Sequence, residues 1–117
     1  MLRIAHRDLK AARSMLDPDV FDEAIWGFQI QQATEKTLKA WISALEQDYP
    51  RTHDLALLCR LIVDLGGDPS RLQSLENFTP FAARLRYEDE LEAQNLNREL
   101  WSQRCGDLLD HVAALLP

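Results

Sequence analysis

The chemistry this sequence can do is carried by separated groups of polar residues. Along Phe28 to Trp41, the residues Gln32, Glu35, Lys36 and Lys39 recur three or four positions apart, so on a helix they occupy neighbouring rows of one surface. Further on, His53 and Asp54 follow Pro50 in a turn, and Arg86 and Tyr87 precede the last long segment. A fold that gathers Lys36, Lys39, His53, Asp54, Arg86 and Tyr87 would set cations against phosphate, a tyrosine against a base and a histidine able to give or take a hydrogen bond. That set suits a nucleotide or an RNA end. Arg104 and His111 form another pair, with about two helical turns between them, so an unbroken helix puts both on one face.

A plainer reading uses the same residues. The polar row can be a solvated face carrying i,i+3 and i,i+4 charge pairs. His53 and Asp54 can cap a helix while Arg86 pairs with Glu35 across the interior, a polar network that only fixes the bundle. Both readings stand at the level of sequence.

The elements that must position these residues are helical. Leu2, Ala5, Leu9, Ala12 and Leu16 make one apolar stripe, and Asp17-Pro18-Asp19 ends it. A second and longest helix starts near Asp19 to Asp22 and runs to about Gln47, before Tyr49-Pro50, with Ile25, Phe28, Leu38, Ile42 and Leu45 expected to face inward. Thr52 or Asp54 caps a third helix with the stripe Leu55, Leu58, Ile62 and Leu65, stopped by Gly66-Gly67-Asp68-Pro69. Ser70 to Phe78 offers about two turns, and Thr79-Pro80 opens a short segment from Phe81 to Leu85. A last helix is expected from about Glu90 to the carboxyl end, carrying Leu96, Leu100, Leu108, Val112 and Leu115, with Gly106 its weak point.

No stretch alternates polar and apolar residues with β-branched enrichment, and there is no repeat or low-complexity tract. The fold class is therefore all-α, an up-and-down helical bundle of four to five helices, with residues 1–117 forming a single domain.

Composition narrows the function. Hydrophobic residues make up 46% and charged residues 27% of the 117, which suits a globular chain and is too apolar for a disordered one. A net charge of −6 argues against a domain that holds nucleic acid by bulk electrostatics, although local basic patches remain open. No apolar run approaches the roughly 18 residues of a membrane span, and the charged amino terminus lacks the apolar stretch of a signal peptide, so a cytoplasmic location is expected. Cys59 and Cys105 stand alone inside helical patterns and read as buried thiols, not as a metal or redox pair. Trp26, Trp41 and Trp101 read as structural, in the core or at a dimer interface.

Three separated pieces then agree. Phe28-x-x-Gln31-Gln32-Ala33-x-Glu35-Lys36-x-Leu38-Lys39-Ala40, Pro50-Arg51-Thr52-His53-Asp54-Leu55 and Ala83-Arg84-x-Arg86-Tyr87-x-Asp89 resemble, in order and spacing, the HEPN domain family of prokaryotes. The opening Ala5-x-x-Asp8-Leu9-x-x-Ala12 is similar to that family's first helix, so the resemblance covers nearly the whole chain.

The resemblance implies an all-α bundle that is often a homodimer and is frequently paired with a minimal nucleotidyltransferase protein as toxin and antitoxin. RNA or a nucleotide is the implied ligand, with no cofactor and no metal. Many members of the wider superfamily are metal-independent ribonucleases with an Arg-x(4-6)-His motif, in which the RNA 2'-hydroxyl attacks the adjacent phosphate. Arg104 and His111 fit that spacing with six residues between them, but Cys105 follows the arginine where a polar residue is usual. Arg51 and His53 are too close to fit, as are Arg3 and His6. A non-catalytic helical dimer, serving as a binding or scaffold module, is the alternative.

Overall fold

The structure is a computed structural model and describes residues 1–72 and 97–116. Every regular element among them is helical: α1 (Leu2–Arg13), α2 (Glu23–Ala44), α3 (Leu55–Asp64), a 3-10 turn (Pro69–Arg71) and α4 (Arg98–Leu115). The all-α bundle expected from the sequence is what forms. The short segment anticipated after Thr79 lies outside the described residues.

Local chemistry sets most helix ends. Asp54 caps α3, its Oδ1 accepting from the backbone N–H of Ala56 at 3.0 Å and Leu57 at 3.3 Å, while Thr52 Oγ1 accepts from the Asp54 N–H. Asn97 caps α4 through the Leu100 N–H, so that helix begins at Arg98 and not near Glu90. An extended backbone at Asn97 cannot belong to a helix running through from Glu90. Both α2 and α3 end in six-to-one turns: Gln47 N–H reaches Ile42 O, and Gly67 N–H reaches Ile62 O. The left-handed residue that such a turn requires is Gly66 after α3 and Glu46 after α2.

α2 is the centre of the bundle, packed against α1, α3 and α4, with α1 also against α4. Its row Trp26, Ile30, Ala33, Thr37 and Trp41 is buried. α1 contributes Ala5, Leu9 and Ala12, α3 contributes Leu55, Leu58 and Ile62, and α4 contributes Leu108, Leu109 and Val112. The expected stripes of α1 and α3 are therefore largely the buried ones, apart from half-buried Leu2, half-buried Leu16 beyond the end of α1, and exposed Leu65.

The expected inward face of α2 needs correcting. Leu38 and Ile42 are buried and Leu45 is half-buried, but Ile25 and Phe28 are about half exposed. They share a helical row with Gln32 and Lys36, on the side away from Trp26 and Ile30. Conversely, the polar face is not a solvated one, because Glu35 and Lys39 are buried. A helix with neighbours on three sides buries most of its circumference, so its pattern shows no single stripe.

α4 is tied across the bundle by Arg98. Its guanidinium donates to Met15 O at 2.7 Å and Phe21 O at 2.9 Å, and stands over the Trp26 ring at 5.7 Å. It thereby anchors the connection between α1 and α2 to the start of α4.

Candidate functional site

The middle of α2 supplies Glu35 and Lys39, one turn apart, and the turn before α3 supplies His53. Glu35 is almost fully buried, yet both its oxygens are used. Oε1 lies 2.8 Å from His53 Nδ1, and Oε2 accepts from Lys39 Nζ at 3.3 Å. A carboxylate can only accept, so His53 donates through Nδ1 and its Nε2 is left for other partners. The His53 side chain is 81% exposed, so that nitrogen faces outward. Lys39 also lies 5.7 Å from the ring centre of Tyr49. A buried carboxylate holding an exposed imidazole is an arrangement for moving a proton at Nε2 or for donating from it to an anion.

The other predicted residues are distributed around this contact. Lys36 is half-buried and bonded to Asp8 of α1, so its charge is already matched. Asp54, next to His53, is spent on the α3 cap. Lys39 is buried against Glu35, which leaves it to balance that carboxylate more than to meet a ligand. Arg86 and Tyr87 lie outside the described residues. The plainer reading is thus right about the Asp54 cap, whereas His53 turns back to α2 instead of capping.

Arg104 and His111 stand on one face of α4, which passes unbroken through Gly106. Arg104 is exposed and stacks over the Trp101 ring at 4.9 Å. His111 is half-buried and packs edge-on against Trp41, with ring centroids 5.0 Å apart. Each packs on a tryptophan, half-buried Trp101 for Arg104 and buried Trp41 for His111, and about two turns of helix separate them.

Two residues have a role here that the sequence reading had not given them. Glu35 belongs because only the fold reveals that its carboxylate is buried and shared between His53 and Lys39. Asp8 belongs because it neutralises Lys36 from another helix. The i,i+4 spacing of Glu35 and Lys39 is the signal that could have pointed to that pairing. Among the described residues no group of histidine, cysteine or acidic side chains could hold a metal ion, and no helix is long and apolar enough to cross a membrane.

Cys105 and Cys59 are buried free thiols. Burial pushes the Cys105 thiol up to about 11, partly opposed by the hydrogen bond from Thr34, so it is an inert packing group and not a nucleophile.

No curated protein and no solved structure matches the chain. A family model, that of the HEPN domain, matches residues 1–115. With that match running the length of an all-helical bundle, the chain belongs to the HEPN domain family.

Proposed function

We propose that this chain is the HEPN component of a toxin-antitoxin or related stress module in the cytoplasm, acting as a homodimer with a minimal nucleotidyltransferase and handling RNA or a nucleotide. Membership of the HEPN family supports a nucleotide- or RNA-related module. The observation that carries the chemical part is the contact between His53 and Glu35, which orients an exposed imidazole from a buried carboxylate.

In this reading His53 Nε2 takes the proton of an RNA 2'-hydroxyl. The 2'-oxygen then bonds to the adjacent phosphorus, the bond from phosphorus to the 5'-oxygen breaks, and the leaving oxygen takes a proton from solvent. The products are a cyclic phosphate and a 5'-hydroxyl. Arg104, exposed on α4, is one cation available to phosphate in this chain or across a dimer.

Incubating the purified protein with total RNA in EDTA tests this, beside His53→Ala, His111→Ala and Arg104→Ala. The expected result is cleavage that survives EDTA and is lost in His53→Ala. Loss confined to His111→Ala and Arg104→Ala would move the chemistry to the α4 pair. Intact RNA with the folded, dimeric wild type would overturn the ribonuclease reading and favour the non-catalytic module. That second reading has an observation of its own, the exposed apolar pair Ile25 and Phe28 on α2, which suits contact with another protein surface.

A further inference from the structure

α1 divides sharply into two faces. Ala5, Leu9 and Ala12 are sealed in the core, while Arg3, His6, Arg7, Lys10 and Arg13 are all exposed. These five positions fall three, one, three and three residues apart, which confines them to about a third of the helix circumference. The one acidic residue of α1 is Asp8, and it is buried and bonded to Lys36. Arg7 Nε comes within 3.8 Å of the same carboxylate, but the Arg7 side chain is mostly exposed, so solvent screens that attraction. The end of the Arg13 side chain lies against Gly106 of α4, where the lack of a Cβ admits it.

Among the described residues, no ion pair neutralises Arg3, Lys10 or Arg13. This row therefore concentrates four cationic side chains against one matched acid, in a chain whose formal net charge is −6. A solvated face of ordinary composition interleaves both signs; this one does not.

We propose that the exposed face of α1 is an electrostatic track for the phosphate backbone of single-stranded RNA, resting on the RNA reading of the module given above. Cationic side chains three or four residues apart are neighbours about 5–6 Å from one another, a spacing comparable to that of consecutive phosphates on a strand. From Arg3 to Arg13 the row extends roughly 15 Å, enough for a few phosphates. Arginine forks match phosphate oxygens, and His6 adds a donor when protonated. An anionic membrane would meet the same charges. However, an interfacial helix also inserts its apolar face, and here that face is sealed in the core of the bundle.

The test is fluorescence anisotropy with a labelled oligouridylate of about twelve nucleotides, titrated at several salt concentrations. Wild type is compared with the triple variant Arg3→Glu/Arg7→Glu/Lys10→Glu. A control of equal charge change is made at exposed positions elsewhere, Arg51→Glu/Arg60→Glu/Arg71→Glu. Circular dichroism melts establish that all three are folded.

For wild type, the logarithm of affinity should fall with the logarithm of salt at a slope of about −2 to −3, as expected for four backbone contacts on a single strand. The α1 variant should lose at least about tenfold in affinity and most of the slope, and the control should stay within about threefold. Equal losses in both variants, or an unchanged slope in the α1 variant, would overturn the track. So would binding to phosphatidylserine vesicles without binding to the oligouridylate, which would assign the face to a membrane surface. AMP binding by wild type, measured by calorimetry, separates the two levels. If AMP binds and the α1 variant keeps its oligouridylate affinity, the track falls and the nucleotide reading stands; if wild type binds neither, both fall.

Discussion

Nδ1 of His53 lies 2.8 Å from Oε1 of Glu35, so a ring that is mostly in solvent is anchored on a carboxylate that is almost entirely out of it. The anchor is balanced from the other side by Lys39, whose Nζ is 3.3 Å from Oε2. Replacing Glu35 by Gln leaves Lys39 buried without its counter-charge and should destabilise the bundle by about 3 kcal/mol. Glu35→Leu combined with Lys39→Met removes both charges and should lie within about 1 kcal/mol of wild type. His53→Ala should cost less than about 1 kcal/mol, because an exposed ion-pair partner adds little. Urea unfolding of the four proteins checks the ranking, and a Glu35→Gln variant as stable as wild type would refute the buried pair.

Arg98 should not be replaceable by lysine. Its two terminal nitrogens satisfy the carbonyls of Met15 and Phe21 at once, with the Trp26 ring beneath. A lysine ammonium lacks that planar fork, so Arg98→Lys should lower stability by about 2 kcal/mol. Loss of protection at the start of α4 and around residues 15–21, read by amide hydrogen exchange, would locate the effect. Uniform loss of protection across the bundle would argue against a local anchor.

The two left-handed helix ends should respond in opposite directions. Glu46 holds φ at 64° without being a glycine, whereas Gly66 holds φ at 97°. Glu46→Gly relieves Cβ strain and should stabilise by about 0.5–1 kcal/mol. Gly66→Ala introduces the strain and should destabilise by about 1 kcal/mol, although nothing surrounds the added methyl group. Thermal melts of both variants should move apart, and a shared sign would refute the backbone argument.

Cys105 should resist alkylation. With the thiol pushed up to about 11 by burial, from an ordinary value of 9.0, iodoacetamide at neutral pH should label it only after unfolding. The sign of the pH effect follows, because a raised pKa means that the native state retains a proton which the unfolded chain releases. The stabilising contribution is complete below pH 9 and is lost as pH rises through about 11. Cys105→Ala should flatten that alkaline decline in stability, measured by urea midpoints across the range.

Helices that bury one face were legible from the sequence. The stripes Ala5, Leu9, Ala12 and Leu55, Leu58, Ile62 repeat at helical spacing because a single neighbouring surface selects them. α2 was legible as a helix but not as a surface. It is enclosed by three others, so Ile25 and Phe28 lie outward while Glu35 and Lys39 lie inward, and no periodic rule assigns those places. The start of α4 was also misplaced, because the capping role of Asn97 is one local bond that residue types leave undecided.

What the sequence by itself determined was the all-helical class, the family and the residue types able to meet RNA or a nucleotide. These are properties of short-range spacing and of motifs, which the chain carries before it folds. Only the tertiary structure decided that Lys36 is matched by Asp8 and that Glu35 is shared between Lys39 and His53. It also decided that the cations of α1 share an exposed face over a sealed core. The Asp8 and His53 contacts cross 28 and 18 residues of chain, and which carboxylate is buried depends on how whole helices pack. Burial and pairing, not residue type, then decide which charges remain available to a ligand.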